Sequence, residues 1–276
     1  GDVYLLKKFW KKGNHFYIYK LGQETISDVR IKLNNRKIAA LDYFFNSADE
    51  LVIAGFYSSP IRFNYEGIFL LRYDENLNLV HENQYLLTEN IVQAFKSSKE
   101  VKESGFGLDK FIIKDFSLDN TGNYYLLSEN ISKTTIKEET YWVSSGFFVI
   151  KFNINGNFVW ASPVPLNQQH KELNFIGTFL VNSNNYKRYF YNDLQNLNLR
   201  KGVPTEYGIL NYCGTKYVEF TLAGLPQENI NFINFPGKDS EKYAFLPNQL
   251  NPNSNGPSYF AVLNEKSTNI MLAIAK

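Results

Sequence analysis

The sequence predicts an all-β fold, a β-propeller of four-stranded antiparallel blades, about five in number. Six blades, or an incomplete and open propeller, are the alternatives. Three observations carry this prediction. The first is composition: 23 Phe, 19 Tyr and 3 Trp make up 16% of the 276 residues, and 33 Asn accompany them. Aromatic side chains suit a pleated, half-buried strand, and Asn suits turns. The second is an internal repeat. Residues 67–81 align without a gap on residues 146–160, and residues 42–57 align without a gap on residues 115–130. The third is physical: a sheet of four short strands cannot bury both faces alone, and radial packing of several such sheets answers that need.

The repeats set the strands. The second unit, 34–88, carries strands over about 37–46, 51–58, 66–73 and 78–87. The third, 108–168, carries them over about 110–118, 123–130, 146–153 and 157–165. In each unit a strand ends in a basic residue (Arg72 or Lys151), a polar turn follows, and a second strand returns. Asn155-Gly156-Asn157 supplies the positive φ that a tight hairpin needs. The first unit, 1–33, has a strand at 3–9 and the later half of the pattern at 17–22 and 25–30. It lacks one strand, which the C-terminal segment 270–275 is expected to supply, bringing residues 2–9 beside the C-terminus. The fourth unit, 170–226, offers strands at 174–182, 187–192, 207–212 and 216–222. The fifth, 227–276, offers them at 230–235, 242–246, 259–264 and 269–275. All five units read as one domain.

The unit spacing of about 50 to 80 residues exceeds the ~40–50 of compact propeller repeats, and insertions hold the surplus. The 88–107 insertion places Ile91, Val92 and Phe95 at helical spacing, which predicts a short amphipathic helix. Residues 131–145 and 193–206 each extend a hairpin.

The run Asp119-Asn120-Thr121-Gly122-Asn123-Tyr124-Tyr125, followed by Val149-Ile150-Lys151-Phe152 and Gly156-Asn157-Phe158-Val159-Trp160, resembles the repeat of propeller-like proteins of bacteria. From about residue 17 to 168 the chain is similar to uncharacterised exported propeller-like proteins of Gram-negative bacteria. The resemblance implies a propeller fold and an exported location (periplasm, cell surface or secreted). It implies no activity, since no catalytic residues carry over.

Composition excludes several classes. With 29 basic and 27 acidic side chains the net charge is +2, so no broad electrostatic footprint for nucleic acid exists. No apolar run reaches the length of a membrane span. Cys213 stands alone, which excludes an intrachain disulfide and a thiolate zinc site. A first residue other than Met fits a removed export signal or a trimmed chain, and so does not fix the compartment.

Candidate sites are few. Asp42 and Asp115 occupy equivalent points of two units, on strands that would line a propeller channel. Two readings stand: ligand-binding or acid–base carboxylates, or turn or strand-end residues satisfied by backbone amides. Tyr141 and Trp142, in the 131–145 insertion, are placed either for carbohydrate or peptide contact or for packing on a neighbouring blade. The turns at Asp119 and Asn153 echo calcium loops but place Ser128 and Ser162 where a bidentate Glu would stand, so hairpin turns are expected and no metal. His81 aligns with Trp160 and reads as a packing position; His15 and His170 lie far from it in sequence. The basic tract at 7–12, with Phe9 and Trp10, reads as a solvated strand end, or as a surface for bases or anionic lipid. Residues 247–257 read as a surface loop. No nucleotide, phosphate or serine-nucleophile motif occurs, and no cofactor is expected.

The functional expectation is an exported, monomeric, non-enzymatic propeller that binds a carbohydrate polymer or an envelope protein through rim loops. The alternatives are a glycoside hydrolase or lyase using channel carboxylates, and a structural module of an envelope assembly.

Overall fold

A computed structural model of the chain describes residues 3–9, 15–22, 26–59, 64–171, 173, 176–182, 187–193, 214–229, 243–245, 258–264 and 270–275. Among the described residues the fold is all-β apart from two short helices. The described strands form antiparallel meander sheets in chain order, three of four strands and two of three. The chain divides into two compact units. One comprises residues 1–109, 113–127 and 150–159; the other comprises 110–112, 128–149 and 160–276.

The first unit opens with the sheet β1 (Val3–Phe9), β2 (His15–Leu21) and β3 (Ile26–Ile31), paired in that order. The second sheet follows as β4 (Lys37–Phe45), β5 (Leu51–Ser58), β6 (Gly67–Tyr73) and β7 (Leu79–Leu86). These bounds match the strands expected from the repeat. β5 and β6 are apolar on both faces because both faces are covered, and every β5 residue is buried. The core joins Phe16, Ile18 and Ile31 of the first sheet to Leu51, Ile53, Phe69 and Leu71 of the second.

Strand β4 carries a bulge between Ile38 and Ala40. There the backbone closes on Gly55, where a Cβ would sit 2.1 Å from the Ala40 carbonyl oxygen. Only Gly fits that approach. In place of the one helix expected, the 88–107 insertion folds as two, α1 (Glu89–Gln93) and α2 (Ser98–Ser104). α1 buries Ile91 and Val92. Ser97 and Glu100 close a reciprocal capping box that starts α2.

One turn recurs. At Asn46, Asp74, Asp119 and Asn153 the side-chain oxygen accepts the backbone N–H groups two and four residues on. At Thr221 the hydroxyl accepts the N–H of Leu225. The third residue after each takes positive φ: Asp49, Leu77, Gly122, Gly156 and Gly224. These oxygens close hairpins, as expected of the Asp119 and Asn153 turns. Hydrogen bonds from Asn123 and Thr121 hold the Asp119 carboxyl below its ordinary range, against the upward push of burial.

The third sheet, β8 (Phe111–Leu118), β9 (Tyr124–Ile136), β10 (Glu139–Phe152) and β11 (Phe158–His170), is divided between the two units. In the second unit β9 and β10 continue as a long ribbon that turns at Lys137 and Glu138, both at positive φ. The ribbon is the 131–145 hairpin extension, drawn out as continuous strand. The fourth sheet is β12 (Thr178–Asn182), β13 (Lys187–Asp193), β14 (Gly214–Phe220) and β15 (Pro226–Asn229). The expected strand at 207–212 lies outside the described residues. β15 is an addition to the expected strands; its Pro226 opens an edge strand, where a missing N–H costs nothing. Its pairing with β14 carries the fourth sheet to Asn229, past the expected end at 226.

The fifth sheet is β16 (Tyr243–Phe245), β17 (Ser258–Asn264) and β18 (Ile270–Ala275). β18 pairs with β17, and β1 pairs with β2. The expectation that segment 270–275 completes the first sheet is therefore corrected: among the described residues that strand belongs to its own neighbour in sequence, and the first sheet keeps three strands.

Candidate functional site

In the first unit the structure brings Asp42 and Asp115 together. Asp42 sits inside β4, opposite Ala54 of β5, and Asp115 sits inside β8. Neither lies in a turn. An Asp42 Oδ1 accepts the N–H of Tyr43 at 2.9 Å, and an Asp115 Oδ2 accepts the Ser117 hydroxyl at 2.6 Å. Both side chains are half-buried. Burial raises the Asp42 pKa above its ordinary value, the Tyr43 N–H opposes the rise, and the charge of Asp115 adds to it. Phe44, two residues past Asp42, packs its ring 4.7 Å from that of Phe116 and 6.1 Å from that of Tyr124. Two carboxylates within reach of each other's charge can accept the hydroxyls of a polyol or divide acid and base roles.

In the second unit Tyr141 and Trp142 stand on β10 in the ribbon, both half-buried. The Lys133 ammonium lies 4.4 Å over the Trp142 ring. The Tyr141 hydroxyl donates to Glu139 Oε2 at 2.5 Å, Lys171 Nζ donates to Glu139 Oε1 at 2.8 Å, and the same ammonium lies over the Tyr141 ring. Lys171 and Tyr141 together hold the Glu139 carboxyl below its ordinary range. The described contacts of the two aromatics are thus with charged side chains of their own sheet and the segment just after it. The carboxylate pair and the aromatic pair belong to different units, and each is a site on its own terms.

A third group is one the sequence did not single out. Glu129 is completely buried in the second unit. Its Oε1 accepts the Thr178 hydroxyl at 3.1 Å, and Gly177 packs so close that a Cβ there would lie 3.0 Å from that oxygen. Gln168 joins in, accepting the Gly177 N–H at 3.0 Å and donating to the Asn192 carbonyl at 2.8 Å. The alignment of the repeats holds the signal. Ser128-Glu129-Asn130 stands where the repeat copy at residues 42–57 has Gly55-Phe56-Tyr57, so a carboxylate replaces a ring at a buried strand position.

The equivalence of His81 and Trp160 is physical. A Cβ on Gly156 would lie 2.7 Å from the His81 ring, and one on Gly224 would lie 2.5 Å from the Trp160 ring. Asn83, beside His81, donates to the Gly156 carbonyl, and Trp160 Nε1 donates to the Leu222 carbonyl, each at 3.2 Å. In both cases a ring on a fourth strand rests on the turn of the next sheet. His15 lies instead beside Arg30, its Nδ1 2.5 Å from Nη2. Trp10 to Lys12 of the basic tract, Cys213, the loop 247–257 and the His170 side chain lie outside the described residues.

Among the described residues no helix is long and apolar enough to cross a membrane. The fold defines a class, an all-β repeat protein of antiparallel meander sheets. No family model matches the chain, and no curated protein matches it. Among solved structures it is similar to a luciferin-regenerating enzyme, with 9% identity and a TM-score of 0.34 over 100% of this chain and 80% of that one. It is also similar to an apocarotenoid oxygenase from Synechocystis, with 11% identity and a TM-score of 0.36 over 98% of this chain and 57% of that one. At scores this low neither likeness assigns a chemistry to this chain.

Proposed function

We propose that the chain is a propeller of about five blades, exported and monomeric, that binds a carbohydrate polymer without catalysis through the β9–β10 ribbon. One observation carries this. β9 and β10 run 13 and 14 residues, where the aligned β5 and β6 run 8 and 7. The added length carries Tyr141 and Trp142 beside Lys133, Glu139 and Lys171. Flat ring faces suit the C–H faces of sugars, and the flanking charges can bond hydroxyls. The test is a glycan array followed by calorimetry on any hit. Trp142→Ala and Tyr141→Ala should each weaken binding by roughly tenfold or more, the range of an interface anchor. Retention of full affinity by both variants sinks the reading. Binding of an envelope protein in a pull-down, with the array silent, transfers the ribbon to a protein partner. Export is supported by the sequence resemblance, and cell fractionation tests it.

The carboxylate pair favours a second reading, a glycoside hydrolase or lyase. Such an enzyme needs two carboxyl groups ~5–10 Å apart, and mutual repulsion of Asp42 and Asp115 is the behaviour of a close pair. Release of reducing ends from a polysaccharide panel, abolished by Asp42→Asn and by Asp115→Asn, would support it. An inert panel leaves the binding reading in place.

A further inference from the structure

Among the described residues the first sheet is short of one strand, and its register shows which. Val3 faces Leu21 as Leu51 faces Tyr73, and Tyr4 faces Lys20 as Val52 faces Arg72. Lys20 and Arg72 are the basic residues that end the repeat's third strand. β1, β2 and β3 therefore correspond to β5, β6 and β7, and the counterpart of β4 is missing. That counterpart would lie along the free edge of β1. β5, with β4 beside it, is buried throughout, whereas β1 alternates exposed and half-buried residues. On the outer face of β1, Val3 is 54% exposed, Leu5 51% and Phe9 36%. On the inner face Tyr4 and Leu6 pack against the core of the unit and are only partly covered.

We propose that the free edge of β1 docks an extended segment of a partner protein, one that alternates apolar and acidic side chains and adds antiparallel as the fourth strand. An edge strand offers a row of backbone donors and acceptors, and pairing with an added strand satisfies them. The added strand would set one row of side chains beside Tyr4 and Leu6 and the other beside Val3, Leu5, Lys7 and Phe9.

Charge chooses among occupants. Lys7 is exposed on the outer row, its ammonium over the Phe9 ring, and Lys8 comes next with its ammonium over Phe16. A second copy of β1, paired antiparallel about Leu6, would set Lys7 opposite Leu5 and Lys8 opposite Tyr4. Four ammonium groups would then gather around one axis, which like-charge repulsion disfavours. Edge lysines commonly guard a sheet against self-association in this way. The exposed charge of Lys7 attracts a strand that brings carboxylates to the outer row.

The experiment uses the full chain and two labelled peptides with blocked ends, one alternating valine and glutamate, the other valine and lysine. The valine–glutamate peptide should bind and protect the β1 amides from hydrogen exchange. Lys7→Glu, a change at an exposed side chain, should weaken that peptide by roughly tenfold and turn preference toward the valine–lysine peptide. Three outcomes would overturn the proposal. The two peptides bind alike; the β1 amides of the free chain are as protected as those of β5, so that the chain's own backbone occupies the edge; or sedimentation shows a dimer that Lys7→Glu alters, which makes the occupant a second copy.

Discussion

β1 and β5 hold the same register in two sheets of one unit, and nearly every residue of one has a counterpart in the other. Gly55 corresponds to Lys7, Ile53 to Leu5, and Val52 to Tyr4. The difference in their chemistry comes from what lies alongside. β5 has β4 on one edge and β6 on the other, with both faces covered. Its sequence, LVIAGFYS, shows no alternation because neither face meets water. Among the described residues β1 has a neighbour on one edge and a core on one face, and its sequence, VYLLKKF, puts lysines where β5 puts Gly55 and Phe56. A strand's composition thus reports how many of its sides are enclosed, more than its place in the repeat. Position-matched substitutions test how far that holds.

The largest effect is expected at Gly55. Gly55→Ala drives a methyl group against the Ala40 carbonyl at the β4 bulge, where backbone must move. Such overpacking costs about 3 kcal/mol or more. Lys7→Ala, at the matching place, should change stability by under ~0.5 kcal/mol. Ile53→Ala empties a fully enclosed site and should cost about 2–5 kcal/mol, while Leu5→Ala should cost under ~1 kcal/mol. Urea unfolding of the four variants reads the contrast directly. Equal losses at Leu5 and Ile53 would show that β1 is enclosed in solution.

A smaller contrast lies at the basic strand ends. Arg72 bonds Glu50 through Nε at 3.1 Å and Nη2 at 2.9 Å. Lys20, its counterpart, donates to the Glu75 carbonyl and lies over the Tyr4 ring. Arg72→Met should cost about 1 kcal/mol near neutral pH, and Lys20→Met about half that. The pH dependence separates them. Burial pushes the Glu50 carboxyl up, but Arg72 and Asn46 outweigh it, and its pKa lies below the ordinary 4.5. A depressed carboxyl adds stability above its ordinary value and loses it as pH falls through the folded value. The gap between the wild type and Arg72→Met should therefore close in acid, while that of Lys20→Met should close less, since the Lys20 ammonium is the smallest of the causes lowering the exposed Asp74 carboxyl. Denaturation midpoints measured across pH 3 to 7, roughly spanning the carboxylate range, decide it.

The strand pattern is legible in the sequence where the repeat is regular, because period, turn residues and basic strand ends agree over 37–87 and 110–165. Two things are not. β15 is a four-residue edge strand, PQEN, that burial does not mark with apolar residues, so no alternation announces it. The partner of segment 270–275 is equally hidden, because an apolar strand carries no address: its pairing with β17 depends on which neighbour is nearest along the chain. At the sites, the gapless alignment suffices to place Asp42 and Asp115 together, since equivalent positions of successive sheets fall side by side. It also contains Glu129, which is obscured because an alignment draws attention to matches and Glu129 is a mismatch, a carboxylate standing where the other copy has Phe56.

The smallest effect concerns the strand that the first sheet lacks. Asp42 belongs to β4, so its carboxyl has no counterpart beside β1, and whatever cost it carries is confined to the second sheet and its neighbour. Burial, reinforced by Asp115, raises the Asp42 pKa above its ordinary 3.8. A raised carboxyl binds its proton more tightly in the folded chain than in the unfolded one. Folding is therefore favoured below the ordinary value, and that advantage is lost as pH rises through the folded value. Asp42→Asn should accordingly stabilise the chain near neutral pH and change little below pH 3.8. Asp115→Asn removes the repulsion alone and should move the Asp42 titration, tracked by carboxyl carbon NMR, toward its ordinary value while leaving the contribution of burial. An unmoved titration would mean that burial alone sets the shift and that the two carboxylates do not act as a pair; with it would go the geometric support for shared acid and base roles at this site.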